Sequence, residues 1–301
     1  MKKQTMVLFL SLATLLLAEL AACGSPGHLP AVSGLSLEKA APTMVTPATV
    51  TLRHAPSGSV DLTWNVAQKT LTIAMNVSGL TPGSVHPTHL HLGTCQAPGR
   101  FLFLLPKLQA NAVGQASMQT VIHNVIHLPK QWVVNIHNGP TMTPPVQSLP
   151  IACGTLTMKA STTTGTLKEH VALQGTNAPN ESVSGTVQLS LTNAVLTVTV
   201  SVHGLQPGSR HAAHIHLGHC AAQGKMLSPL LTLVGNAHGD DRETTTLHGV
   251  TLPASWYINI HFAEVITTPQ GQIIPEAFNP IACADQPTAL LRKAQARAFL
   301  P

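Results

Sequence analysis

The chain repeats itself at a spacing of about 125 residues, and that repeat constrains the fold more than any other feature. Val77-Ser78-Gly79-Leu80-Thr81-Pro82-Gly83-Ser84 returns as Val202-His203-Gly204-Leu205-Gln206-Pro207-Gly208-Ser209. His86-Pro87-Thr88-His89-Leu90-His91-Leu92-Gly93-Thr94-Cys95 returns as His211-Ala212-Ala213-His214-Ile215-His216-Leu217-Gly218-His219-Cys220. Trp132-Val133-Val134-Asn135-Ile136-His137 matches Trp256-Tyr257-Ile258-Asn259-Ile260-His261, and Pro150-Ile151-Ala152-Cys153 matches Pro280-Ile281-Ala282-Cys283. The chain therefore reads as two copies of one domain. The order and spacing predict a first domain over 49–160 and a second over 161–284.

Within each copy the local pattern is strand. Asp61–Trp64, Thr70–Val77, Thr186–Leu191 and Leu196–Val200 alternate polar with apolar residues, so one face of each run is fit for burial. Turn signals such as Pro56-Ser57-Gly58, Thr81-Pro82-Gly83 and Asn236-Ala237-His238-Gly239 separate the runs. Short Thr- and Val-rich strands at such intervals predict an all-β chain of two tandem Greek-key β-sandwiches or flattened barrels. Only within the C-terminal tail, 285–301, is there a helical pattern, from Pro287 to Phe299 with Leu290, Leu291, Arg292, Lys293 and Arg297.

The N-terminus has the layout of an export signal. Lys2-Lys3 precedes an apolar stretch from Met6 to Leu17, and Leu20-Ala21-Ala22-Cys23-Gly24 closes it. A small-residue cleavage site ending at a cysteine resembles a bacterial lipobox, which implies a signal peptide over 1–22, lipidation at Cys23 and a tether over 23–48. The alternative is an ordinary secretory signal with an incidental cysteine. Either way the mature chain is expected outside the cytoplasm, and with the lipobox it is anchored to the bacterial cell membrane, at the surface or in the periplasm. Cysteine usage fits that address, because Cys23 leaves an even set of four in a compartment where disulfides persist. Four cysteines allow three connectivities. The repeat selects Cys95–Cys153 and Cys220–Cys283, the pairing that keeps each bridge within one copy. Nucleic acid is an unsuitable partner, since no basic run exceeds Arg292-Lys293.

Histidine is the abnormal residue, 17 in all against 16 for Lys and Arg together. Five pairs recur at equivalent positions: His86/His211, His89/His214, His91/His216, His123/His248 and His137/His261. His89 and His91 lie two apart in a Thr-His-Leu-His-Leu strand, so they point to one face, roughly 7 Å apart along the backbone. Imidazoles at that spacing can converge on one ion, with His137 closing a neighbouring apolar strand as the third donor. His214, His216 and His261 repeat the arrangement. Nitrogen donors alone suit copper, zinc, iron or nickel. The competing reading is that these histidines are outer-face polar residues duplicated with everything else.

At these residues each copy resembles the Cu/Zn superoxide dismutase family, especially its bacterial secreted form. The likeness rests on Gly79-Leu80-Thr81-Pro82-Gly83 before His86-x-x-His89-x-His91, the cysteine close behind, the run Leu105–Ala116, the strand Trp132–His137 and the final Ile151-Ala152-Cys153-Gly154. It covers roughly 59–158 and, more loosely, 185–284. The second copy also resembles the chordin-repeat (CHRD) domain in Tyr257–His261 followed by Pro269-x-Gly271. The resemblance implies an eight-stranded Greek-key sandwich. It implies copper ligands at His89, His91 and His137, with His86 as a brace behind them and Cys95–Cys153 pinning a loop to the last strand. In the second copy the matching positions are His214, His216, His261, His211, Cys220 and Cys283.

The departures decide what to expect of the activity. Only Gln96 to Phe103 follows the first His-x-His before the next strand, with no His or Asp, so the family's zinc subsite is expected to be missing together with its fourth copper ligand. His123 and His248 are candidate extra ligands, although they follow a different strand. Pro150 and Pro280 stand where the family carries the arginine that attracts superoxide. Charge differs between the copies, with a net of +4 over 56–160 and −3 over 161–284. That steers an anion toward the first. Three functions are compatible: a surface lipoprotein that binds copper for storage, delivery or buffering; a copper-only superoxide dismutase; and a metal-free structural or adhesive sandwich.

Overall fold

A computed structural model describes residues 47–157 and 165–287. The expected signal peptide, the lipidated Cys23 and the helical tail beyond 287 lie outside the described residues, as does almost all of the tether. The first part of the chain runs through β1 (Ala48–His54), β2 (Ser57–Asn65), β3 (Thr70–Ser78), β4 (Val85–Gly93), β5 (Pro98–Gln109), β6 (Ala116–Ile122), β7 (Trp132–His137), a single helical turn α1 (Pro145–Ser148) and β8 (Pro150–Leu156). The second runs through β9 (Thr166–Ala172), β10 (Ser184–Thr192), β11 (Val195–His203), β12 (Arg210–His211), β13 (Ala213–His219), β14 (Ala222–Pro229), β15 (Leu233–Val234), β16 (Asp241–Leu247), β17 (Trp256–His261), α2 (Pro275–Phe278) and β18 (Pro280–Asp285). The described chain is all-β and antiparallel, as expected, and no helix in it is long and apolar enough to cross a membrane.

Alternation drives the elements. In β3 the side chains of Leu71, Ile73, Met75 and Val77 are buried while their neighbours face outward, and β11 repeats this with Leu196, Val198, Val200 and Val202. Each half places two sheets face to face. In the first half the order β6-β3-β2-β9 packs against β5-β4-β7-β8. Trp64, Ile73 and Met75 from one sheet meet Leu90, Trp132 and Ile136 from the other in a single core. The second half has β16-β11-β10-β1 and β14-β13-β17-β18, joined through β1 into one eight-stranded sheet. Its core gathers Leu52, Val187 and Val198 with Ile215, Trp256 and Ile258.

The sheets do not follow the expected boundaries at 49–160 and 161–284. Strand β1, which leads the first copy, pairs with β10 over Ala48–Leu52 and with β18 at Arg53 and His54. Strand β9, which leads the second copy, pairs with β2 over Thr166–Ala172, and Gln174 bridges Cys153. Each half is therefore completed by the lead strand of the other copy. The physical reason is that both lead strands alternate in the same way, so either fits either slot. Only Ala55-Pro56 separates β1 from β2, and the chain passes across rather than turning back.

The exchange is reinforced by polar contacts between the halves. The Asn279 side chain accepts from the Thr81 hydroxyl at 2.6 Å and donates to the Asn138 carbonyl at 2.9 Å. Gln115 donates to the Ala221 carbonyl and Asn177 to the Gln96 carbonyl. Both halves lie within one compact unit. The disulfides are the expected ones, Cys95–Cys153 and Cys220–Cys283, each within one half.

Candidate metal centres

Strand parity sets the two sites. In β4, Leu90 faces the core, so His89 and His91 stand on the outer face of the sheet. On the adjacent β7, Trp132, Val134 and Ile136 enter the core, which leaves Val133, Asn135 and His137 on that same outer face. The register pairs His89 with Asn135 and His91 with Val133, and a register shift after Ile136 brings His137 round. Strands β13 and β17 repeat this with His214, His216 and His261. Strand β4 ends at Gly93, and β13 carries Gly218 one residue before its end, with φ of +98° and +105°. A Cβ there would lie 2.2 Å from the Ala97 carbonyl oxygen or 2.5 Å from that of Ala222, so only glycine allows the chain to turn into the next strand.

The three histidines of each half converge. One ligand atom from each of His89, His91 and His137 lies within 4.8 Å of the others, and the same holds for His214, His216 and His261. Ring centroids are 4.9 Å apart for His89 and His137, and 5.0 Å for His214 and His261. Either group can hold a metal ion. Hydrogen bonds on the far ring nitrogens aim the near ones inward. Nδ1 of His91 lies 3.1 Å from the Gly99 carbonyl and Nδ1 of His216 lies 3.0 Å from that of Gly224. His137 donates to Ser148 at 2.7 Å and His261 to Phe278 at 2.6 Å. With Nδ1 protonated in each, Nε2 carries a lone pair.

Those lone pairs have no protein donor to meet. Nε2 of His91 and of His137 is buried without a partner, as is Nδ1 of His214. Nε2 of His261 and of His216 face one another at 3.3 Å. Two lone pairs at that separation repel unless something positive lies between them, and an unpartnered buried nitrogen costs about 1–3 kcal/mol. A cation removes both penalties. Burial lowers the pKa of His137 and His214 to about 4, holds His261 well below its ordinary value and lowers His89 and His216. These rings are neutral at pH 7, the form that binds metal.

His86 and His211 stand behind the groups and do not join them. His86 Nδ1 lies 2.7 Å from the His137 carbonyl and its Nε2 lies 2.6 Å from the Ser84 hydroxyl. His211 makes the same pair of contacts with His261 and Ser209, at 2.9 and 2.8 Å. The brace acts through the ligand's backbone rather than its ring. His123 and His248 are exposed, just beyond β6 and β16. Those strands belong to the opposite sheet of each half, so the expected extra ligands stay outside the groups.

Several residues that shape the sites were not evident in the sequence. The Gly99, Gly224, Ser148 and Phe278 carbonyls orient the ligands through backbone atoms, which leave no side-chain signature. The one available signal was the recurrence of a glycine eight residues after His91 and after His216. The surroundings of the two sites also differ. Phe101 stands edge-on to His89 and His91 in the first, while Tyr257 stacks on His216 and Phe278 packs on His261 in the second. Set against known proteins, the chain matches no family model, and no curated protein matches it.

Proposed function

We propose that this chain is a lipid-anchored extracytoplasmic protein that binds copper at two three-histidine sites of Cu/Zn superoxide dismutase-like type. The observation that carries the reading is the pair of convergent imidazole triads, in which a ring nitrogen of His91, of His137 and of His214 is buried without a protein partner. Copper fits this donor set because the triads offer imidazole nitrogen and neither thiolate nor carboxylate, and copper heads the divalent affinity order at such donors. The likeness of His86-x-x-His89-x-His91 and His137 to the dismutase pattern supports the same choice, as does an eight-stranded arrangement in each half. The lipobox-like Leu20–Gly24 and the two disulfides support an address outside the cytoplasm. Held at three imidazoles, a copper ion would offer one-electron chemistry and an open coordination position.

The residues divide the work plainly. His89, His91 and His137, and their counterparts His214, His216 and His261, hold the ion. The Gly99, Gly224, Ser148 and Phe278 carbonyls fix the orientations of the His91, His216, His137 and His261 rings, and His86 and His211 hold the backbone of the third ligand. Metal analysis of the exported protein should find two copper equivalents, falling to one in the His89→Ala/His91→Ala variant with the disulfides intact. Two equivalents in that variant would refute the ligand assignment.

Copper-only dismutation is the reading that competes with storage or delivery. Its support is the open position at a triad set in the more basic first copy. Pro150 and Pro280 take the position of the family's guiding arginine, so a rate well below the steered regime of roughly 10⁸–10⁹ M⁻¹s⁻¹ is expected. Superoxide decay by the copper-loaded full chain at two ionic strengths separates the two. Fast decay that falls steeply with salt would favour the enzyme.

A further inference from the structure

The two triads are alike in histidines and unlike in the residue facing the second histidine across the ladder. In the first half that residue is Phe101, the register partner of His91 on β5. In the second half the register partner of His216 on β14 is Met226. Both positions lie between the same two register shifts, one on either side of the histidine. Directly paired residues share a face of a sheet, and the first half shows where a side chain from this position goes. The Phe101 ring lies 6.0 Å from the His91 ring and 5.4 Å from that of His89, over the site.

Met226 has no competing duty. It is 51% exposed, so it is not committed to the core. The aromatic cover that Phe101 gives the first site comes in the second from Tyr257, stacked on His216 at 5.3 Å, and from Phe278, 4.3 Å from His261. Methionine is unbranched, turns about three bonds and carries a soft thioether.

Resting on the copper reading above, we infer that Met226 supplies a fourth, thioether ligand to the second triad, making it a site for Cu(I), while the first triad remains a three-nitrogen site. Soft thioether donors select Cu(I), whereas imidazole serves both oxidation states. The duplicated chain thus carries two copper sites of different oxidation-state preference.

The test uses the full chain loaded with copper alone. Phe fits the fold at this register, since the first half carries it there, so Met226→Phe is the main variant and Phe101→Met its reciprocal. Affinities for Cu(I), under anaerobic reduction, and for Cu(II) are read by competition with chromogenic chelators. The second site is isolated by His89→Ala/His91→Ala and the first by His214→Ala/His216→Ala. Met226→Phe should weaken Cu(I) binding by about tenfold, the low end of the loss when a group supporting a metal is removed, and move Cu(II) binding much less. Phe101→Met should strengthen Cu(I) binding at the first site. X-ray absorption of the Cu(I)-loaded chain should show a sulfur neighbour that Met226→Phe abolishes, a readout that also works without the isolating substitutions. Two bound coppers with no sulfur neighbour and unchanged Cu(I) affinity in Met226→Phe would overturn the inference and leave the triads standing. Failure of the unmodified chain to bind copper would overturn both.

Discussion

Leu52 and Leu173 give a crossed test of the exchanged lead strands. Leu52 belongs to the first copy in sequence and is buried in the core of the second half, at 2% exposure. Leu173, just past β9, belongs to the second copy and is buried in the core of the first half, at 7%. Truncating a buried leucine to alanine costs about 2–5 kcal/mol, from lost transfer energy and the cavity left behind. A loss of about 3 kcal/mol multiplies the open population of the affected half roughly 100-fold. Amide hydrogen exchange followed by mass spectrometry reads that change peptide by peptide. Leu52→Ala should accelerate exchange mainly in β10–β18, and Leu173→Ala mainly in β2–β8. Acceleration concentrated in β2–β8 for Leu52→Ala, or one common profile for both variants, would refute the exchanged pairing or the separate opening it implies.

Removing either disulfide should lower stability by about 4 kcal/mol in the loop-entropy account, since the bridges span separations of 58 and 63 residues; denaturant midpoints of Cys95→Ala/Cys153→Ala and Cys220→Ala/Cys283→Ala check this, and unchanged midpoints would count against it. The metal-free chain should lose stability as pH falls from 6.5 to 4. Burial lowers the His86 pKa to about 4, so in that window the unfolded chain takes up a proton that the folded one refuses, at a cost approaching about 3 kcal/mol by pH 4. Buried Glu181, with its pKa raised well above the ordinary value by desolvation, acts with the opposite sign and offsets one such histidine as pH rises above 4.5. Urea midpoints against pH should therefore slope upward from 4 to 6.5, less steeply in His86→Asn, and a flat profile would contradict the assignment. His211→Ala should weaken copper binding at the second site by roughly 10–100-fold without changing its stoichiometry, because the ring acts through the His261 carbonyl; loss of the whole equivalent, read by metal titration, would make His211 a ligand.

Much of this protein was legible from residue order alone, because the information was local. A period of two along Thr70–Val77 and Leu196–Val200 fixes which side chains can be buried, so the strands and their inward faces followed from the sequence. Parity likewise put His89 and His91 on one face, and the repeat made His214 and His216 their equivalents. The same repeat chose the disulfides, since a bridge that recurs within each copy needs no knowledge of the other.

What the sequence left open depends on which strands become neighbours. The lead strands β1 and β9 carry the same alternating pattern, and a pattern of burial says nothing about whose core it fills. Only the assembled ladders assign Leu52 to the second half and Leu173 to the first. Position 123 repeats at 248 as faithfully as any ligand pair, yet the topology sends both to the sheet opposite the triads. The rings of His91, His137, His216 and His261 are oriented by backbone carbonyls that any residue could supply, and the contrast between Phe101 and Met226 acquires meaning only when register places each beside a histidine. Local alternation decides what a strand can bury; pairing between distant segments decides which side chains can share a metal, and that is a property of the folded chain.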